Sequence, residues 1–345
     1  MLISEVKKGR KCKKRLVFFD SYAKIIIAKT FGVIKMKKTF FYFDDVIWLF
    51  RDLTRENYDS VFDHFYLKVF KEAHEKFGFK VQMNVFYRTD YFYGTDEFTL
   101  SEMTDKYKEE FRANSDWLRF GYHSKQEFPD YPLINITYDD MTKDFLAIKN
   151  EVVRFAGEEC FSNVVCSHWR PISKEGCRAL ADNGIVLINC TGGETRELED
   201  GSDTLPYGHA PRIMQNRQPE TKLFTRITLD KAISTSVCAY NHLTQKQLDD
   251  TNTTFKAIYN DEVGVYFKQL LTHGTCVNLS TLSEMEDEYA KLLPCQFASF
   301  GGHEQYFYPD YYAYQENHGE KLLKGCQIMH DAGFEFMFAD DIIKL

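Results

Sequence analysis

The chain has 345 residues, of which 44% are hydrophobic and 27% charged, which is the composition of a globular protein and excludes a disordered or fibrous one. Its 43 basic and 51 acidic residues give a formal net charge of -8, and this argues against nucleic acid as a partner. No run of about 20 apolar residues is present, so we predict no transmembrane segment. The nine cysteines form no CxxC pair, which favours reduced thiols and a cytoplasmic protein.

Residues 1–36 differ in composition from the rest of the chain. Residues 7–15 are strongly basic, and the apolar stretch behind them is interrupted by Asp20, Lys24 and Lys29. No small-residue cleavage site follows, so this is a poor secretory signal. We predict that residues 1–36 are an N-terminal extension outside the fold and that residues 37–345 form a single domain. Secretion or membrane-surface association through residues 1–35 remains the alternative.

From Lys37 onward, short strand-like runs alternate with longer amphipathic stretches. The pattern predicts strands over 39–43, 80–86, 117–123, 163–169, 185–190, 296–304 and 334–339. It predicts helices over 59–77, 101–114, 139–156, 173–184, 244–258, 284–292 and 317–332. Residues 191–222 are predicted to be a long irregular excursion, and residues 223–243 to contribute further strands. This alternation predicts an α/β fold with parallel strands and helical crossovers, open or closed into a barrel.

Polar side chains follow several of these strands. The first strand ends at Asp44-Asp45, the third at His123 and the fourth at His168, while His303 follows a late strand. Because the carboxyl ends of parallel strands meet at one rim, we expect these side chains to converge. One Asp and two His are suitable ligands for a divalent ion such as zinc, and a second carboxylate beside the ion could accept a proton from water.

Three segments carry a family resemblance: FYFDDV (41–46), FGYHS (120–124) and HWRP (168–171). Together they resemble the motifs of the NodB-homology polysaccharide deacetylases, the group that includes carbohydrate esterase family 4. The resemblance implies a distorted (β/α)7-type barrel that hydrolyses acetyl groups from N- or O-acetylated carbohydrates with a divalent metal. Zinc is the expected ion, with nickel, cobalt, manganese and iron as alternatives. The expected partner is a carbohydrate substrate.

The resemblance also implies roles for individual residues. Asp44 would be the catalytic base, and Asp45 and His123 would bind the metal. Arg170, in the Arg-Pro pair of the third motif, would hold the base in place. His303, in its protonated form, would stabilise the oxyanion and donate a proton to the leaving group.

The sequence departs from the family pattern after His123. The family places a second histidine about four residues later, and Glu127 stands there instead. Either His168 or Glu127 would therefore be the third metal ligand, and His168 is favoured because it lies two residues before Arg170. Trp169 is equally a core residue or a platform for a sugar ring. Three residues are predicted to contact substrate: Trp169, Glu127 and Tyr306, the last within a tyrosine-rich segment over 303–314.

Two other functions remain open. A metal-independent glycosidase could use two carboxylates of the same rim, Asp44 with Glu304 or with Glu127. A carbohydrate-binding protein without activity could have kept the scaffold of a deacetylase, and the absent second histidine favours that reading. The sequence favours no particular oligomeric state.

Overall fold

A computed structural model of the chain describes residues 36–89, 97–127, 132–133, 136–170, 172–190, 250–311 and 313–345, with the backbone of 196–197 and 203–204. The described residues from Lys37 onward belong to one compact unit. The predicted extension over 1–35, most of the excursion over 191–222 and the strands predicted over 223–243 lie outside the described residues.

The elements of the described residues alternate as the sequence predicts. The helices are α1 (Trp48–Glu56), α2 (Phe65–Phe77), α3 (Lys108–Ala113), α4 (Tyr138–Ala156), α5 (Lys174–Asp182), α6 (Met285–Ala290) and α7 (His318–Asp331). The strands are β1 (Lys37–Val46), β2 (Val81–Phe86), β3 (Leu118–Ser124), β4 (Val164–Val165), β5 (Leu187–Asn189), β6 (Arg196–Glu197), β7 (Asp203–Thr204), β8 (Ile258–Asn260), β9 (Val265–Lys268), β10 (Phe297–His303) and β11 (Phe334–Phe336).

The strands of the described residues are mostly parallel. One sheet has the order β10-β1-β2-β3, with β11 beside the start of β1, and all of its pairings are parallel. A second sheet has the order β4-β5-β9-β8, in which only β8 is antiparallel. β6 and β7 form a separate antiparallel pair. The predicted α/β class is confirmed. The described strands form separate ladders, so the closed seven-stranded barrel stays a prediction.

Several elements differ from the prediction. β9 was not predicted, and the helix predicted over 101–114 is an α-helix only in α3 (Lys108–Ala113). Ile258, predicted as the last residue of a helix, instead begins β8, because residues 258–260 pair with β9. The fourth strand is only β4, because Trp169 and Arg170 have φ angles of 57° and 75° in the left-handed region, where a strand cannot continue. α1 is an element that the sequence pattern did not predict.

Helix α2 shows why the predicted helices form where they do. Its buried residues Tyr66, Leu67, Phe70 and Ala73 recur at helical spacing. It ends at Gly78, whose φ of 66° is readily adopted by glycine, and the Gly78 N–H bonds to the carbonyl of His74. The helix therefore presents one apolar face to the sheet.

The core on the helix side of β1 is aromatic. Phe43 lies edge-on to Phe70 with ring centroids 5.0 Å apart, and Phe41 lies edge-on to Phe300 at 4.9 Å. Side chains alternate along a strand, so Tyr42 and Asp44 point to the opposite face from Phe41 and Phe43. β1 therefore has an apolar face towards the helices and a partly polar face on its other side.

Glu304 connects the end of β10 to the start of α1. It is fully buried, and its carboxylate accepts hydrogen bonds from the backbone N–H groups of Ile47 (2.7 Å), Trp48 (2.7 Å) and Leu49 (2.8 Å). The Tyr66 hydroxyl donates a fourth bond at 2.7 Å. These N–H groups at the helix start have no partner within the helix, so a buried carboxylate satisfies them and complements the helix dipole. Glu304 thereby fixes the turn that follows Asp44-Asp45.

We expect Glu304→Gln to lower the free energy of unfolding by about 2 kcal/mol, because the amide NH2 of Gln would face a backbone N–H without an acceptor. Chemical denaturation monitored by circular dichroism would measure the change. Glu320→Gln is the matched control, since Glu320 lies in the first turn of α7 but is exposed. An equal effect of the two substitutions would contradict the capping role.

Candidate metal centre

Three side chains meet at the carboxyl ends of β1 and β3 and just beyond β4. Asp45, His123 and His168 are all buried, and their ligand atoms lie within 4.8 Å of one another. Oδ1 of Asp45 is 2.9 Å from Nε2 of His123 and 3.2 Å from Nδ1 of His168. The two ring nitrogens are themselves 3.2 Å apart. The structure thus brings together the three residues predicted to bind a metal.

The backbone of Asp45 is unusual in a way that aims its side chain at the two rings. Asp45 has a φ of 65°, and the pairing of β1 with β2 shifts register between Phe43 and Val46. An irregularity of this kind turns a side chain away from its normal alternation. Asp tolerates the left-handed region better than most residues. Asp44 and Asp45 therefore separate into two environments.

The outward hydrogen bonds of the histidines determine which ring nitrogen carries the proton. Nδ1 of His123 contacts the carbonyl oxygen of Cys166, and Nε2 of His168 lies 2.9 Å from the carbonyl oxygen of Glu127. A carbonyl oxygen only accepts, so both of these nitrogens carry N–H. In the neutral rings the inward nitrogens then present lone pairs to Asp45. Three acceptors converge on one point, which is the arrangement that a cation stabilises.

Gln305 supports Asp45 from the other side. Its Nε2 donates to Oδ2 of Asp45 at 2.6 Å, which leaves Oδ1 facing the histidines. Burial by itself would raise the pKa of Asp45, but before a metal binds, a ring N–H of His123 or His168 facing Oδ1 would hold that pKa well below its usual value. Asp45 is therefore an ionised ligand. Its charge and the two ring nitrogens fit a divalent transition metal.

Asp44 lies on the other face of β1. It is buried, and its Oδ1 accepts a hydrogen bond from Nδ2 of Asn84 at 2.7 Å. Arg170, the predicted brace, donates to the Tyr42 hydroxyl at 3.2 Å, and its guanidinium lies over the Tyr42 ring. Bracing of Asp44 by Arg170 stays a prediction.

His303 is the last residue of β10 and is paired with Asp44 in the strand register. Its Nδ1 lies 3.0 Å from Oδ1 of Asn278. Burial lowers the pKa of His303, against the opposing effects of Asp45 and Asp44. The ring is therefore neutral near pH 7, whereas the sequence resemblance implies a protonated histidine.

The remaining predicted residues surround this centre. Glu127 is buried and supports His168 through its backbone carbonyl, so its carboxylate is outside the ligand cluster of the described residues. Trp169 is buried, with its ring 5.7 Å from that of His168. Tyr306 is buried with its ring 6.1 Å from that of His303. Substrate contacts by Glu127, Trp169 and Tyr306 stay predictions.

One proposed glycosidase pair conflicts with the structure. Glu304 is fully buried and uses both carboxylate oxygens to bind the start of α1. It cannot exchange a proton with a sugar substrate from that position. The pairing of Asp44 with Glu304 is therefore wrong for a physical reason: Glu304 caps a helix.

Gln305 and Asn84 were not predicted from the sequence. Gln305 follows His303-Glu304, and nothing in the local pattern distinguishes it from a loop residue. Asn84 carries a weak signal, because amides at positions 82 and 84 share one face of the strand VQMNVF, and both are fully buried. Two inward amides in a buried strand require hydrogen-bond partners.

No protein-family model and no curated protein matches the sequence. Among solved structures, the fold is similar to the 4-alpha-glucanotransferase from Thermococcus litoralis, with a TM-score of 0.52 and 11% identity over 90% of this chain and 40% of that chain. A family 4 acetyl xylan esterase from Clostridium thermocellum, in complex with a cobalt ion, aligns with a TM-score of 0.37 and 10% identity over 89% of this chain and 91% of that chain. The first likeness shows the fold alone, and the second is too weak to carry an argument.

Among the residues that the structure describes, no helix is both long enough and apolar enough to cross a membrane.

We expect Gln305→Ala to weaken metal binding about 10- to 100-fold, because Oδ2 of Asp45 loses the donor that orients the carboxylate. Titration with Zn²⁺ in competition with a chelating dye would measure the affinity. Gln327→Ala, at an exposed position of α7, is the matched control. Unchanged affinity in Gln305→Ala would show that Asp45 needs no support.

Proposed function

We propose that this protein is a metal-dependent hydrolase that removes acetyl groups from a carbohydrate. The observation that carries the proposal is the convergence of three acceptor atoms, from Asp45, His123 and His168, with both imidazole N–H groups directed outward. When both rings are neutral, none of these three atoms carries a hydrogen that it could donate to another. A second carboxylate, Asp44, directly precedes the ligand Asp45 in the chain. A metal ligand beside a base suits hydrolysis.

Asp45, His123 and His168 would hold the metal, and we propose zinc as the ion. A divalent cation there supplies Lewis acidity, which polarises an acyl carbonyl and makes water easier to deprotonate. The chain supplies the orientation of its ligands through the carbonyls of Cys166 and Glu127 and the amide of Gln305.

Asp44 is proposed to take the proton from the attacking water. Among the described residues, Asn84 is the hydrogen-bond donor to its Oδ1, so Oδ2 remains able to accept a proton. A positioned base of this kind contributes about 10² to 10⁴ in rate. Arg170, which follows β4 in the chain, is proposed to contribute its positive charge to the environment of Asp44.

His303 is proposed to stabilise negative charge on the substrate and to donate a proton to the leaving group. Burial lowers the pKa of His303, so its ring starts neutral and would receive the water proton from Asp44, with which it is paired in the strand register, before passing that proton to the leaving group. Asn278 orients the ring through Nδ1. Protonation and bond cleavage would therefore be coupled.

The carbohydrate substrate is proposed from two considerations. The glucanotransferase with a similar fold is named for a reaction on glucans. Trp169 and Tyr306 could contact a sugar next to the centre, as could Glu127. We also propose that the strand ladders complete a distorted barrel, and that the catalytic domain begins at Lys37.

The first test is metal content. We expect near-stoichiometric zinc or another divalent transition metal in the purified protein, and its loss in His123→Ala, since one of three ligands is removed. Elemental analysis would measure it, with His330→Ala as a control because His330 is exposed on α7. Absence of metal after reconstitution would leave the glycosidase pairing of Asp44 with Glu127, which a chelator would not inhibit.

The second test addresses the base. We expect Asp44→Asn to lower kcat on an N-acetylglucosamine oligomer or on 4-nitrophenyl acetate by about 10²-fold or more, with metal content retained, because the base is lost but the ligands are not. Acetate release would be measured, with the exposed Asp331→Asn as the control. The wild-type protein could instead show no turnover while it and the two variants, Asp44→Asn and Asp331→Asn, all bind the sugar. That result would indicate a carbohydrate-binding protein without activity.

A further inference from the structure

A column of buried polar side chains lies beneath Asp44. Asn84 donates to Oδ1 of Asp44 at 2.7 Å, and Gln82 donates from Nε2 to Oδ1 of Asn84 at 2.7 Å. Ser162 then donates from Oγ to Oε1 of Gln82 at 2.8 Å. Asn84 and Gln82 are fully buried, and Ser162 is 3% exposed. The column therefore crosses from β1 over β2 to the residues just before β4.

The donor direction along this column is determined by the carboxylate. An ionised carboxylate only accepts, so Asn84 must turn its NH2 group towards Asp44 and its oxygen towards Gln82. Gln82 must then present its own NH2 group to Asn84, and its second hydrogen reaches the carbonyl of Val164 at 3.0 Å. The oxygen of Gln82 faces Ser162, whose hydroxyl donates. Each amide dipole therefore points its positive end towards Asp44.

The neighbouring strand has a gap that fits this column. Gly121 of β3 is paired in register with Asn84. A Cβ at position 121 would lie 2.6 Å from Nε2 of Gln82 and 2.8 Å from Oδ1 of Asn84. Both distances are shorter than real Cβ contacts allow, so any larger residue would displace the amide pair. The absence of a side chain at position 121 is a second, independent indication that the amide positions matter.

We propose that Asn84, supported by Gln82 and Ser162, is the positioning residue for the base Asp44. This proposal rests on the proposed function. The sequence resemblance implies a brace at Arg170, which donates to the Tyr42 hydroxyl, whereas Asn84 donates to the Asp44 carboxylate itself. Asn84 holds Oδ1 of Asp44 at a fixed place, so Oδ2 is directed to the substrate side. Buried amides are costly without partners, and here each is bonded on both sides, so the column is rigid.

The kinetic test compares two substitutions that remove a hydrogen-bonded side-chain amide. We expect Asn84→Leu to lower kcat for acetate release about 10²-fold, with KM and metal content little changed, since a base displaced by about 1 Å loses that much rate. Asn114→Leu is the control: Asn114 is half-buried before the start of β3, where its Nδ2 donates to the carbonyl of Glu110 at 2.8 Å and its Oδ1 accepts from Nε1 of Trp117 at 2.9 Å. It should lower Tm but keep kcat.

A second variant covers the case in which Asn84→Leu fails to fold. Asn84→Asp keeps the shape and can still accept from Gln82, but it replaces the donor facing Asp44 by a carboxylate oxygen. We expect a loss of kcat at least as large as in Asn84→Leu. A kcat within about threefold of the wild-type value in either variant, or an equal loss in Asn114→Leu, would overturn the positioning role.

A thermal measurement separates this proposal from the proposed function. If the wild-type protein releases no acetate, the deacetylase assignment fails, but the contact between Asn84 and Asp44 can still be tested through Tm. We expect Asn84→Leu to lower Tm strongly in the otherwise wild-type protein. In a protein that already carries Asp44→Ala it should lower Tm much less, because the loss of stability comes from leaving the Asp44 carboxylate unpaired. Additive Tm shifts would show that Asn84 does not hold Asp44.

Discussion

The two imidazole N–H groups that point away from Asp45 are the constraint on which the rest of the centre depends. They bind the carbonyls of Cys166 and Glu127, and these bonds leave the inward nitrogens of His123 and His168 without a hydrogen in the neutral rings. Three acceptors at mutual distances of 2.9 to 3.2 Å repel one another unless positive charge lies between them. The backbone around the centre thus presents three acceptors that could bind a cation.

The geometry of β1 separates the two neighbouring aspartates. The left-handed backbone at Asp45 turns that side chain to the histidines, while Asp44 continues the polar face of the strand above Tyr42. Glu304 fixes the turn after them through three backbone N–H groups, and Gln305 fixes the carboxylate of Asp45. The two residues that follow β10 therefore support Asp45 and the turn that leads from β1 into α1.

Polar groups below Asp44 reduce the apolar packing of the sheet interior, and such burial destabilises a fold unless each group is bonded. Here the amides of Gln82 and Asn84 satisfy one another and the base, and Gly121 leaves space for them. An apolar pair at these positions would pack with less electrostatic cost. The amides serve the carboxylate of Asp44, because a buried carboxylate needs a hydrogen-bond donor to be stable.

The amino-acid sequence by itself determined the α/β class, most helix and strand positions, and the strand-end residues Asp44, Asp45, His123, His168 and His303. These follow from local periodicity and from the rule that parallel strands end at one rim. Only the tertiary structure shows that His168, after the chain turns at Trp169, lies in the cluster with Asp45 and His123 that could bind a metal. It alone identified Gln305 and Asn84, whose bonds join residues 260 and 40 positions apart. It also assigned Glu304 to a helix start, since its four donors come from distant parts of the chain and no local pattern records them.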